Sequence, residues 1–97
     1  MDRLEEIPIN IFQLNILLDE NEKDGFEYIK NNNVYCVTCK KMCVKGIEIK
    51  EMYLTSLNDI KICGICNKCK NKVTRILEFG ENKRFFNNAN KFRKSIQ

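Results

Sequence analysis

The sequence predicts a small α+β fold: a three-stranded antiparallel sheet carrying two cysteine turns, with an N-terminal helix and a basic C-terminal helix or tail. Three observations predict it. Two Cys-x-x-Cys turns, Cys36/Cys39 and Cys66/Cys69, each place two thiols on one tight turn. The stretches between and after them alternate apolar and polar residues, the period of a half-buried strand. The flanking segments instead repeat apolar residues at helical spacing. At 97 residues the chain is one small domain, which buries too little surface to do without a staple, and its six cysteines supply one.

Taken in order, residues 8–19 read as the first helix. Pro8 is tolerated in a first turn, Ile9, Phe12 and Ile16 share one face, and Ile11, Leu14 and Leu18 lie beside it. That wide apolar stripe suits packing on the sheet or on a partner. Asp19 to Asp24 reads as a charged break ending at Gly25, with Phe26 to Lys30 a short helical turn and Asn31-Asn32-Asn33 a connector.

The sheet begins after the first cysteine turn. Ile47 to Leu54 alternates at its start, Ser56-Leu57-Asn58-Asp59 supplies turn chemistry, and Ile60-Lys61-Ile62 alternates again. Val73 to Phe79 is the third strand, stopped at Gly80, and Val34 to Val37 is a short fourth candidate. From Asn82 to Gln97 there is no acid. Phe85, Ala89 and Phe92 fall at helical spacing there, among Lys83, Arg84, Lys91, Arg93 and Lys94. This tail fits two readings: aromatics and bases that stack on nucleobases and hold phosphates, or a helix that docks its phenylalanines on the sheet and leaves its charges in water. The domain plan is an acidic, partly helical arm (1–33), a cysteine-bearing sheet (34–80) and a basic tail (81–97).

Charge follows that plan. Residues 1–33 hold eight acids against three bases, a balance of −5, so the net +4 leaves +9 for residues 34–97. An acidic arm with a basic body is compatible with nucleic-acid contact by the body, and equally with a solvated lysine-rich surface. The N-terminus is acidic and lacks the apolar core of a secretory signal, and polar residues interrupt Ile7 to Leu18. An intracellular setting without membrane contact is therefore expected: host cytoplasm or nucleus, or a virion if the origin is viral. In a reducing compartment, cysteines at this spacing favour metal over disulfides.

Six thiols compete for four metal positions. Cys36/Cys39 is unambiguous. Cys66/Cys69 matches its flanks, with an apolar residue before the first thiol and Lys after the second, while Cys63/Cys66 is followed by Asn67, which suits the positive φ that such turns need. Choosing Cys66/Cys69 leaves Cys63 as a small strand residue and Cys43 as an unused thiol. Four thiolates around one structural Zn2+ close a zinc ribbon with no open position for water. An iron–sulfur cluster on Cys63-x-x-Cys66-x-x-Cys69 is the alternative, without the Cys-Pro that usually follows. There is no histidine, no phosphate-cradling glycine loop and no paired carboxylate site, so an enzyme and a small-molecule substrate are not expected.

The opening Tyr35-Cys36-Val37-Thr38-Cys39-Lys40-Lys41 and the close Gly64-Ile65-Cys66-Asn67-Lys68-Cys69-Lys70-Asn71-Lys72 resemble small four-cysteine zinc-ribbon proteins of DNA viruses and phages. The resemblance covers residues 35–77. It places the ligands at Cys36, Cys39, Cys66 and Cys69 and implies a ribbon and a viral origin, but no activity. Met42-Cys43 and Lys70 depart from it, standing where threonine and glycine are common.

Two functions are therefore expected. In the first, a zinc-stabilised module binds nucleic acid or a nucleic-acid machine. Its basic surface is Lys40, Lys41, Lys68, Lys70, Lys72 and Arg75, extended by Lys83, Arg84, Lys91, Arg93 and Lys94. In the second, the protein is a structural component of a virion or a larger nucleoprotein or viral protein assembly, docking through helix 8–19 and the tail phenylalanines.

Overall fold

The strongest sheet signal, the alternation from Ile47 onward, forms the centre of the structure. A computed structural model describes residues 5–96; residues 1–4 of the acidic arm and Gln97 lie outside the described residues. Strands β4 (Ile47–Leu54), β5 (Ile60–Cys66) and β6 (Lys72–Leu77) run as an antiparallel meander. A bulge between Ile49 and Glu51 shifts the β4–β5 register, so that Ile47 faces Cys66 while Leu54 faces Ile60. Ile60, Ile62 and Cys66 of β5 are fully buried on one face together with Leu54, Val73 and Leu77. Gly64 lies on that face too, between Ile62 and Cys66 in the alternation, and there the backbones come close: a Cβ at Gly64 would lie 2.2 Å from the Glu48 carbonyl oxygen.

The N-terminal arm is built differently from the single helix expected over 8–19. Ile7–Ile9 is a strand, β1, which pairs antiparallel with Met52–Leu54 and gives the sheet the order β1-β4-β5-β6. Pro8 fits an edge strand, where its missing N–H is not needed. Asn10 then ends the strand and starts helix α1 (Ile11–Leu17): its Oδ1 accepts from Gln13 N at 2.9 Å, and Gln13 Oε1 accepts from Asn10 N at 2.8 Å. The expected charged break is also helical. Asp19 and Glu22 form a second capping box, and α2 runs Glu20–Asn32 straight through Gly25, with Phe26 buried.

Tyr35–Cys36 (β2) pairs with Lys41–Met42 (β3) in a separate two-stranded ribbon and does not join the main sheet. At the other end a short 3-10 turn, Phe79–Glu81, leads to α3 (Lys83–Ser95), which Asn82 caps by accepting from Phe85 N at 3.1 Å. Phe85, Ala89 and Phe92 of α3 are buried in the core and Phe79 packs at 5.4 Å from Phe85, the arrangement of the docking reading. Arm and tail are thus built into one core with the sheet, and their cohesion does not depend on the cysteines alone. Among the described residues no helix is long and apolar enough to cross a membrane.

Candidate metal centre

The two cysteine turns are copies of one local structure. In the first, Lys40 N donates to Cys36 O at 2.8 Å and Lys40 takes φ 57°. In the second, Lys70 N donates to Cys66 O at 2.8 Å and Lys70 takes φ 64°. The residue after each second cysteine therefore occupies the left-handed region that glycine fills most easily. The pairing around the turns also repeats: Tyr35 faces Met42 before the first, and Ile65 faces Lys72 before the second.

These turns bring four sulfurs together. Cys36, Cys39, Cys66 and Cys69 have their Sγ atoms within 4.8 Å of one another, an arrangement that can hold a metal ion. Cys36 Sγ and Cys69 Sγ are 3.4 Å apart, and Cys39 N donates to Cys36 Sγ at 3.4 Å. Cys36 and Cys66 are buried, while Cys39 and Cys69 are half-buried at the mouth. Backbone geometry favours thiolate here. The Cys69 amide, followed by the Lys68 amide, holds the Cys66 thiol down to about 6 against the opposing effect of burial. The side chain and then the backbone of Asn71 lower Cys69. A hydrogen bond with the Cys69 thiol, with burial next, pushes Cys39 up to about 12, as expected where neighbouring sulfurs share protons until a cation replaces them.

The remaining two cysteines lie elsewhere. Cys63 pairs with Thr74 and Glu51 on the sheet face away from the core, half-buried, and does not join the four sulfurs. Cys43 is the feature that sequence reasoning missed. It is 3 % exposed in the core, its amide donates to Val34 O at 2.8 Å, and burial and the adjacent Cys66 thiol push it up to about 12. A neutral thiol packed against the cluster acts as a small apolar side chain.

The basic residues separate into three groups. Lys40, Lys41, Lys68, Lys70 and Lys72 are exposed on the two turns. Lys45 joins them, since Asn67 Nδ2 donates to Lys45 O at 3.0 Å and ties that loop to the second turn. Among the described residues none of these six lysines makes an ion pair, and no acid occurs in residues 34–47 or 60–77. Lys45 is absent from the expected basic surface, and the acid-free run of 34–47 is the sequence signal that would have included it. Arg75, opposite Ile62, is half-buried with its Nε unpartnered. On α3, Lys83, Lys91 and Lys94 are exposed, but Arg84 is held by Asp19 at 2.7 Å and Glu22 at 2.8 Å.

Arg93 must be removed from any nucleic-acid surface. It is 7 % exposed, and its guanidinium donates to Asn58 Oδ1, Thr55 O and Glu5 O. The physical reason is its register: four residues after Ala89 and eight after Phe85, it falls on the buried stripe of α3.

No protein-family model, curated protein or solved structure matches the chain.

Proposed function

We propose that the protein is a non-enzymatic zinc-ribbon module that binds nucleic acid, or a nucleoprotein machine, through the basic end formed by its two cysteine turns. Cys36, Cys39, Cys66 and Cys69 hold one Zn2+. A tetrahedral ion with zinc–sulfur bonds of about 2.3 Å sets its sulfurs roughly 3.8 Å apart, which a cluster within 4.8 Å accommodates with little movement. Four thiolates fill the coordination sphere, so the ion is structural: it locks β2–β3 against the β5–β6 turn. The observation that carries the binding reading is the set of six exposed lysines on and beside the acid-free cysteine turns, none of them in an ion pair among the described residues. Acids within the turns would neutralise such a surface; none occurs in residues 34–47 or 60–77, and Glu51 of β4 borders it only at Lys72, with which it lines one groove, so the other lysines are free to replace counterions on phosphates.

The test is fluorescence anisotropy of the zinc-loaded chain with labelled single-stranded and duplex oligonucleotides over a salt series. Binding should weaken steeply with salt, with a log–log slope of about −0.7 to −0.9 for each phosphate engaged. Changing Lys40, Lys41 and Lys68 to Ala should flatten that slope by two to three, because each lost contact removes about one. Absence of binding at low salt, or an unchanged slope in the triple variant, overturns the reading.

A further inference from the structure

We propose that the groove between α1 and α3 docks an acidic amphipathic helix of a partner protein. Helix α1 leaves large apolar side chains in water: Phe12 is 75 % exposed and Ile16 76 %, one helical turn apart, while Ile11 is 50 % exposed. No charged residue occurs in Ile11–Leu17, so nothing on this helix offsets that exposure. Beside it a groove of about 370 Å³ runs between the two helices, floored by the buried Leu17 and Phe92 and lined also by the exposed Ile16 and by Asn88, Lys91 and Ser95. A cleft between two helices with an apolar floor is shaped for a third, whose residues at i, i+3, i+4 and i+7 fill it.

The charge around the groove determines what kind of helix fits. Among the described residues its one charged lining residue is Lys91, Lys94 follows one turn later, and Asn82 to Ile96 contain no acid; the acids just beyond α1 are already paired, Asp19 and Glu22 with Arg84 and Glu20 with Lys23. The occupant therefore carries apolar residues on one face and Asp or Glu along its edge. A second copy of this chain is the poorer fit. Two-fold pairing through this groove sets one acid-free α3 against another, with like charges opposed and no carboxylate on either α1 or α3 to separate them. The surface is also independent of the metal, since its residues belong to α1 and α3 and not to the cysteine turns.

The probe is a labelled synthetic helix of about four turns, with leucines at i, i+3, i+4 and i+7 and glutamates elsewhere. It is titrated against the zinc-loaded full chain alongside a version bearing lysines in place of the glutamates. The glutamate helix should bind, with amide shifts centred on Ile16, Leu17, Asn88 and Phe92, and the lysine helix should bind at least about tenfold more weakly. Phe12→Ser with Ile16→Ser should weaken binding at least about tenfold. Both side chains are exposed, so the fold is retained, as unchanged zinc content and circular dichroism would verify. Lys91→Glu should abolish the preference for glutamate, whereas Lys40→Ala and Lys68→Ala should leave peptide binding unchanged, which separates this surface from the nucleic-acid reading. Equal binding of both helices, shifts located elsewhere, or no binding overturns the proposal. So does self-association of the chain without peptide that Phe12→Ser abolishes, which would give the groove to a second copy.

Discussion

Arg93 Nε donates to Asn58 Oδ1 across 2.8 Å, joining the C-terminal helix to the β4–β5 turn between residues 35 apart in sequence. Both side chains are buried, and the bond is the centre of a network. Asn58 Nδ2 donates to Asn90 Oδ1 at 3.0 Å, and the Arg93 guanidinium also reaches the carbonyls of Thr55 and Glu5. The same turn is braced from within, where Thr55 Oγ1 accepts from Asp59 N at 3.1 Å and Asp59 Oδ1 accepts from Gly80 N at 2.8 Å. One arginine therefore anchors the turn, the tail and the chain leading into β1.

Arg93→Ala should destabilise the protein by about 3 kcal/mol, because two buried acceptors, Asn58 Oδ1 and Thr55 O, and the part-buried Glu5 O lose their donor together. Lys91→Ala, on the solvent side of the same helix, should change stability by less than about 0.5 kcal/mol. Urea unfolding of the zinc-loaded proteins measures both. Equal midpoints for the two variants would mean that the network contributes nothing.

Glycine positions make a second contrast. A Cβ at Gly64 would lie 2.2 Å from Glu48 O, backbone of the neighbouring strand that has no room to move, whereas one at Gly25 meets nothing within 4 Å. Gly64→Ala should thus cost about 2 to 4 kcal/mol by forcing β4 and β5 apart beside the bulge. Gly25→Ala, in the interior of α2, should stabilise by about 0.5 to 1 kcal/mol through helix propensity. Thermal unfolding of the pair should move in opposite directions.

What the sequence made legible follows from how local each signal was. The strands β4, β5 and β6 were readable because alternation is carried by consecutive residues such as Ile47, Ile49, Ile60 and Ile62. The stripe of Phe85, Ala89 and Phe92 marked α3 in the same way. The arm differs from the expectation because two capping boxes decide its elements: Asn10 with Gln13 interrupts the apolar periodicity of 8–19, and Asp19 with Glu22 starts a helix where a charged break was expected. The first divides the helix expected over 8–19 into strand β1 and helix α1, and the second turns the expected charged break and short turn into the continuous helix α2. The role of Arg93 was hidden for another reason: its partners, Asn58, Thr55 and Glu5, are distant in sequence, and charge alone marked it as surface. The burial of Cys43 against Cys66 is likewise a tertiary fact.

Lys40 and Lys70 hold left-handed backbone at φ 57° and 64°, a conformation that costs a non-glycine residue about 1 kcal/mol. Replacing either by Gly relieves that cost, so Lys40→Gly and Lys70→Gly should each raise stability by up to about 1 kcal/mol. Each also removes one exposed cation, so the salt slope of nucleic-acid binding should fall by about one. A stability gain together with a binding loss would show that these lysines are retained for their charge at some expense to the turn. A loss of both would place their side chains in the fold itself.

The cysteines offer the sharpest series, because the four clustered sulfurs and the two bystanders make opposite predictions. Cys66→Ser removes a buried ligand whose thiol the Cys69 and Lys68 amides hold down to about 6, and it should abolish stoichiometric metal binding. Structural zinc contributes roughly 10 kcal/mol or more to small domains, so the cysteine turns of this variant should unfold. Here α3 and β1 share one core with the sheet, and some helical circular dichroism should survive that loss. Cys69→Ser should behave like Cys66→Ser. Cys63→Ser, on the open sheet face, should retain one metal per chain and cost about 1 kcal/mol or less. Cys43→Ser should also keep the metal but cost about 1 to 3 kcal/mol, because its buried hydroxyl sits among apolar neighbours, while Cys43→Ala should cost less. Acid should release the ion from the wild type, since protons compete for all four thiolates and stability is lost as the pH falls. Metal content after anaerobic purification, measured across the series, decides between the assignments: loss at Cys63 with retention at Cys69 would move the fourth ligand, and a coloured, iron-containing preparation would replace zinc with a cluster.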